Sequence, residues 1–217
     1  SDGEEKSELA FSPDGTKLSY IRGRGDLYIA DADGQNAKRV IQSWDKPEYD
    51  WSPDGKWLVY SINDNDFNSD VWIKPVDGSR PPFNLSRHPY NEPNPVWSPD
   101  GKLIAFVGDR GRKTESNILY VWLRAQDDEK SSRDRTIEKA LEKFQKGKGP
   151  LPSKKEPAPM AGEEPAKKDL PPVPKKEPVV VTIDFENIRD RIRRVNLPNS
   201  NEGSLLWSPD SKKLAFN

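Results

Sequence analysis

Apolar residues in this chain come in short runs with a two-residue beat, and the beat returns four times in one register. Leu18 and Tyr20, Leu58 and Tyr60, Ile104 and Phe106, and Leu214 and Phe216 stand three and five residues past Gly15, Gly55, Gly101 and Ser211. Between them lie Ser19, Val59, Ala105 and Ala215, none larger than valine. Large residues at period two predict a strand with one packed face. The small residue between them suits a sheet whose other face is covered too. A further strand is predicted in each of the first three units, at 27–30, 71–74 and 119–122, and another at 39–41 and 83–85.

The same corner precedes each beat: Phe11-Ser12-Pro13-Asp14-Gly15, Trp51-Ser52-Pro53-Asp54-Gly55, Trp97-Ser98-Pro99-Asp100-Gly101 and the variant Trp207-Ser208-Pro209-Asp210-Ser211. The aromatic residue ends one strand, and proline sets φ for the second turn position. Aspartate can bond its own backbone, and glycine supplies positive φ. The aromatic residues are 40, 46 and 110 positions apart. A repeat of roughly 40–50 residues built from short strands is the signature of β-propeller blades. The fold class predicted is therefore all-β, a partial propeller of about three blades plus the opening half of a fourth.

The 110-residue gap holds the surplus. Residues 128–178 carry nine of the 21 prolines among many lysines and glutamates, a composition that cannot bury enough apolar surface to offset ordering. The domains expected are blades at 1–127, a low-complexity and largely disordered insertion at 128–178, and the propeller's continuation at 179–217. One short helix is predicted at 136–146, where Ile137, Leu141 and Phe144 share a face that a partner could use. Order returns at Val179 through Phe185, a strongly β-prone run. Asn187 follows in a turn, and 192–195 resumes the interrupted blade.

Composition narrows the function classes. Only 32% of the 217 residues are hydrophobic and 33% are charged, so part of the chain lies outside any core. Thirty-five basic against 36 acidic residues offer no electrostatic case for nucleic acid or an anionic membrane surface. No apolar run is long enough to span a bilayer. Cysteine is absent, which excludes disulfide and thiolate chemistry and leaves the compartment, cytoplasmic or periplasmic, open. Propellers close with about 4–8 blades. The chain therefore reads as a segment of a larger propeller protein, with low stability and homo-oligomer formation expected of its open ends.

The aromatic-Ser-Pro-Asp-Gly-Lys corner with its Leu-x-Tyr/Phe strand, at 51–60 and 97–106, resembles the TolB-type propeller repeat. That repeat is shared by TolB, prolyl-oligopeptidase-like enzymes and tricorn protease. The stretch Val181-Thr182-Ile183-Asp184-Phe185-Glu186-Asn187-Ile188, followed by Arg191-Ile192, is similar to one in tricorn-like serine peptidases that also follows a charged insertion. It departs from that pattern at Phe185 and Asn187, and asparagine tolerates the left-handed turn a glycine would take. The resemblance covers about residues 8–127 and 179–217. It implies a bacterial or archaeal protein whose propellers bind and guide peptides. The serine nucleophile would lie in a peptidase domain that, with a PDZ-like domain, belongs to another part of the same polypeptide. A TolB-like scaffold for protein–protein interaction and the propeller of a prolyl-oligopeptidase-like enzyme remain as alternatives.

No catalytic, cofactor-binding or metal position is assigned, and no cofactor is expected. His88, the one histidine, sits in an inter-blade loop, and no Gly-x-Ser-x-Gly elbow is present. Asp64-x-Asp66-x-Asn68-x-Asp70 begins like a calcium loop, but Ser69 replaces its glycine and Pro75 its bidentate glutamate. Arg24-Gly25-Asp26 fits a hairpin turn as well as an adhesion tripeptide. Trp44, Tyr49 and Tyr90 are candidates for a peptide-binding rim at the mouth where inter-blade loops gather, core or loop packing being the other reading.

Overall fold

The computed structural model describes residues 5–108, 116–131, 133–138, 141, 178–195 and 203–217. Three antiparallel four-stranded meanders follow one another along the chain. The first blade holds β1 (Lys6–Phe11), β2 (Lys17–Arg22), β3 (Asp26–Asp31) and β4 (Lys38–Ile41); the second holds β5 (Glu48–Trp51), β6 (Trp57–Asn63), β7 (Ser69–Pro75) and β8 (Phe83–Asn84). The third is built from β9 (Val96–Trp97), β10 (Leu103–Gly108), β11 (Asn117–Trp122) and, after the long excursion, β12 (Ile192–Arg194). β13 (Leu206–Trp207) and β14 (Leu214–Ala215) pair as the opening of a fourth. Three blades and half of another is the count the corner motifs predict.

Each corner is closed by its serine. The Ser98 hydroxyl donates to Asp100 (2.7 Å) and accepts the Leu103 N–H (2.9 Å), while Gly101 N–H bonds the Ser98 carbonyl. Ser12, Ser52 and Ser208 repeat the arrangement. The last corner position takes φ between 57° and 71° in all four. Ser211 adopts there the left-handed conformation that glycine accepts without steric cost. Hydroxyl donation from Ser208 leads the hydrogen bonds that hold the Asp210 carboxyl at about 2. Because Ser98 is fully buried, Ser98→Ala strands the Leu103 N–H, and we expect a loss of about 1–2 kcal/mol in urea unfolding.

The core lies in the seams between blades. Ile21, Leu27, Ile29 and Ile41 meet Trp51, Leu58 and Tyr60 in the first seam. The second packs Val59, Val71, Ile73 and Leu85 against Trp97, Ile104, Phe106 and Leu119. Ala105, Val107 and Ile118 meet Leu205 in the third. The first strands are also linked, since the Trp97 N–H donates to the Asp50 carboxylate at 2.8 Å. Burial pushes that carboxyl up to about 6 against the usual 3.8. A carboxyl that holds its proton more tightly when folded stabilises the fold below pH 4 and loses that contribution as pH rises through 6. Asp50→Asn keeps an acceptor for Trp97. Melting temperature against pH should lose this part of its slope between pH 4 and 6, with a gain on the order of 2 kcal/mol at pH 7.

The predicted strand at Val179 through Phe185 is not one. Residues 178–185 join no sheet and instead form an extended strap along the corner end of the second seam. Val181 is buried, its N–H donates to Asp54 (3.0 Å), and the Asp184 N–H reaches the Leu123 carbonyl (2.9 Å). Ile183 packs on the seam, and Phe185 lies between Trp57 and Phe83, ring centroids 5.9 and 5.0 Å away. β-Propensity expresses how well side chains pack, and here packing favours the seam over a ladder. Asn187 then takes φ 51°, the left-handed turn expected of it, and a 3-10 turn (Ile188–Arg191) leads into β12. The pairing of Leu119 with Arg194 and of Val121 with Ile192 restores the blade's register.

Arg191 holds this return together. Its buried guanidinium donates to the carbonyls of Trp122 (3.0 Å), Glu186 (3.0 Å), Leu123 (3.2 Å) and Asp184. The Asp184 carboxylate accepts the N–H of Ala125, at the start of a short helix α1 (Ala125–Glu129) absent from the sequence reading.

By contact density the chain divides into two compact units, Ser1–Asp128 with Pro178–Asn217, and Glu129–Glu177. In the second, residues 133–138 are helical, starting earlier than the predicted 136. Ser131 and Asp134 explain the shift: the Ser131 hydroxyl accepts the Asp134 N–H (3.1 Å), and the Asp134 carboxylate accepts the Ser131 N–H (3.2 Å) in a reciprocal cap. Ile137 and Leu141 are exposed. Phe144 lies outside the described residues, as do residues 142–177, the greater part of the insertion expected at 128–178.

Candidate functional site

Antiparallel order fixes which loops share an end. The β2–β3 and β6–β7 hairpins and the β4–β5 and β8–β9 connections gather at one end of the blades, and the Ser-Pro-Asp corners at the other. At the loop end, between the first two blades, lies a cleft of about 680 Å³ lined by Arg24, Asp26, Gln42, Ser43, Trp44 and Asn63, among others. Gly25 packs so closely here that a Cβ would lie 2.1 Å from the Asp45 carbonyl oxygen. Asp26 accepts the Arg39 guanidinium (3.0 Å) and the Ser43 N–H (3.2 Å), and Asn63 donates to Asp45 (2.8 Å). Arg24-Gly25-Asp26 is thus a tightly packed hairpin turn whose carboxylate is already engaged.

The expected aromatic rim is only partly present. Trp44 is 44% exposed and meets Phe67 edge-on at 5.5 Å. Tyr90 is exposed beside the His88 ring, 5.4 Å away. Tyr49 turns into the first seam, where its hydroxyl bonds Ser19 (3.0 Å) and donates to the Glu8 carbonyl (2.9 Å). Burial there pushes its phenol up. The member the sequence reading missed is Phe67, 69% exposed at φ 61°. A lone phenylalanine in the polar run from Asp64 to Asp70 was the signal available for it.

The calcium-like spacing serves the loop itself. Asp64 accepts the N–H groups of Asp66 (2.8 Å) and Asn68 (2.9 Å), and Asp70 accepts from Asn84 (2.7 Å), Ser86 (3.2 Å) and the His88 N–H (3.1 Å). Among the described residues no three His, Cys, Asp or Glu side chains converge on a metal position, and no helix there is long and apolar enough to cross a membrane. What the cleft offers is binding chemistry: an exposed guanidinium, aromatic surface and amides.

No family model matches the chain. Over 109 residues, 47% of its length, it is 26% identical to a tricorn protease homolog of Saccharolobus solfataricus, and the match spans 10% of that protein. Over 117 residues, 49% of its length, it is 30% identical to the Tol-Pal system protein TolB of Francisella tularensis, spanning 26% of it. The chain thus spans about a quarter or less of the length of these relatives. The crystal structure of the tricorn protease superposes with a TM-score of 0.58 over 93% of the chain and 18% of its own length, at 10% identity, and shares the fold. Corner repeat, meander order and these matches together make the chain a β-propeller region of the tricorn/TolB type.

Proposed function

We propose that these blades belong to a tricorn-like serine peptidase and bind or guide peptides toward a peptidase domain outside residues 1–217. The observation that carries this reading is the interrupted third blade. Its tricorn-like stretch does defined work, with Asp184 and Arg191 closing the excursion and Val181 through Phe185 sealing a seam. The loop-end cleft with Trp44 and Arg24 supplies a surface suited to extended peptides. The test is to label the full-length protein with a fluorophosphonate serine-hydrolase probe and to follow cleavage of long and short peptides. Labelling outside residues 1–217, and a Trp44→Ala variant whose KM rises for long peptides alone, would support the proposal; absence of labelling would overturn it.

The similarity to TolB favours a second reading, a non-catalytic scaffold for protein partners. It calls for an unlabelled protein that retains stable partners in a pull-down.

A further inference from the structure

The second seam is covered at its corner end by the strap, and among the described residues nothing covers the equivalent place in the first seam. The two can be matched residue by residue. Lys17 opens β2 as Trp57 opens β6, and Lys38 pairs with Ile29 as Phe83 pairs with Ile73. Val76 N–H bonds the Lys56 carbonyl as Leu123 N–H bonds that of Lys102. A Cβ on Gly101 would meet Val181 at 2.7 Å, Val179 at 3.1 Å and Pro53 at 3.2 Å. At Gly55 the nearest atom is Pro13 Cδ, 3.9 Å away. In place of the strap there is a groove of about 700 Å³ floored by Ile29, Val40, Trp57 and Val76.

The chemistry of the rim differs between the seams. Trp57 and Phe83, which sandwich Phe185, are replaced by Lys17 and Lys38, with Lys56 alongside. Lys17 is bridged to Asp31 at 2.7 Å, while Lys38 and Lys56 are exposed. Three lysines and the two aspartates Asp31 and Asp77 thus line this groove. The backbone acceptors that hold the strap have counterparts too. Asp14 stands where Asp54 does, its Oδ2 taking one bond from Thr16 (2.9 Å) with capacity for a second donor. The Val76 carbonyl stands where that of Leu123 does.

We propose that this groove binds an extended segment of a partner polypeptide, aliphatic at alternate positions and acidic where Phe185 stands in the strap. One ligand N–H goes to Asp14 and another to the Val76 carbonyl, aliphatic side chains fill the space over Gly55, and the carboxylate lies between Lys17 and Lys38. This deepens the reading of the blades as a peptide-handling surface by naming a second site and its preference.

The test uses the full-length protein and a fluorescein-labelled heptapeptide that copies strap residues 179–184 and ends in glutamate. A matching peptide ends in lysine. Fluorescence anisotropy should show the glutamate peptide binding at least about fivefold more tightly, with Lys38→Glu abolishing that difference. Trp44→Ala, at the opposite end of the blades, should leave it unchanged. Equal affinity for both peptides, or no effect of Lys38→Glu, overturns the proposal. If mixed-sequence substrates bind and are lost in Trp44→Ala while the heptapeptide does not bind, the groove fails and the peptide-handling reading stands. If the heptapeptide binds as expected but the protein cleaves no peptide, that reading fails and the groove stands.

Discussion

Arg191→Ala is expected to lower the unfolding free energy of the propeller segment by about 3–4 kcal/mol. The guanidinium is buried and donates to four backbone carbonyls, those of Trp122, Leu123, Asp184 and Glu186. Hydrogen bonds from a charged donor contribute roughly 1.5–3 kcal/mol each, and a carbonyl left buried without its donor costs about 1–3 kcal/mol. Water entering the vacated space recovers part of that sum, which keeps the expected loss below it. Arg191→Lys retains the charge but not the planar fork and should recover less than half. Urea unfolding followed by tryptophan fluorescence gives the magnitude, and hydrogen exchange gives the location. Loss of protection should centre on the amides of Val181 and Asp184. Wild-type stability in Arg191→Ala would rule out its role as a clamp.

Phe106→Ala should cost about 3–5 kcal/mol, the range for removing a fully enclosed aromatic ring. Phe106 has no solvent exposure and belongs to the second-seam core with Ile73, Leu85 and its cross-strand partner Leu119. Urea unfolding gives the magnitude, and a loss below about 1 kcal/mol in Phe106→Ala would mean that seam packing is not what stabilises the blades.

Much of the architecture was legible because it is written in local chemistry. Ser98, Pro99, Asp100 and Gly101 specify a turn within five residues, and Ile104 and Phe106 follow in a period that needs no distant information. The return of the third blade was legible for the same reason, since Val195 precedes Trp207 by 12 residues, close to the 11 that separate Val40 from Trp51. What failed was long-range. Val179 through Phe185 has the composition of a strand, but its neighbours are the Asp54 carboxylate and the Leu123 carbonyl rather than a free sheet edge. Asp50 looked like any surface carboxylate until β9 docked on it through Trp97. Tyr49 was, like Trp44, one more aromatic residue near a loop, and its bonds to Ser19 and the Glu8 carbonyl across the seam hold it inward. Phe67 was hidden inside a run of aspartates and asparagines that suggested metal ligands instead.

The clamp at Arg191 has one more consequence. It ties the residues just before the excursion, Trp122 and Leu123, to those just after it, Asp184 and Glu186. Both ends of the intervening stretch are therefore anchored on the blade. Chain-closure cost grows only slowly with length, so the part between α1 and the strap can be shortened, lengthened or exchanged for a foreign module while β12 keeps its place on β11. The third blade is in effect a socket, and the natural point at which to graft a reporter or tether without disturbing the seams.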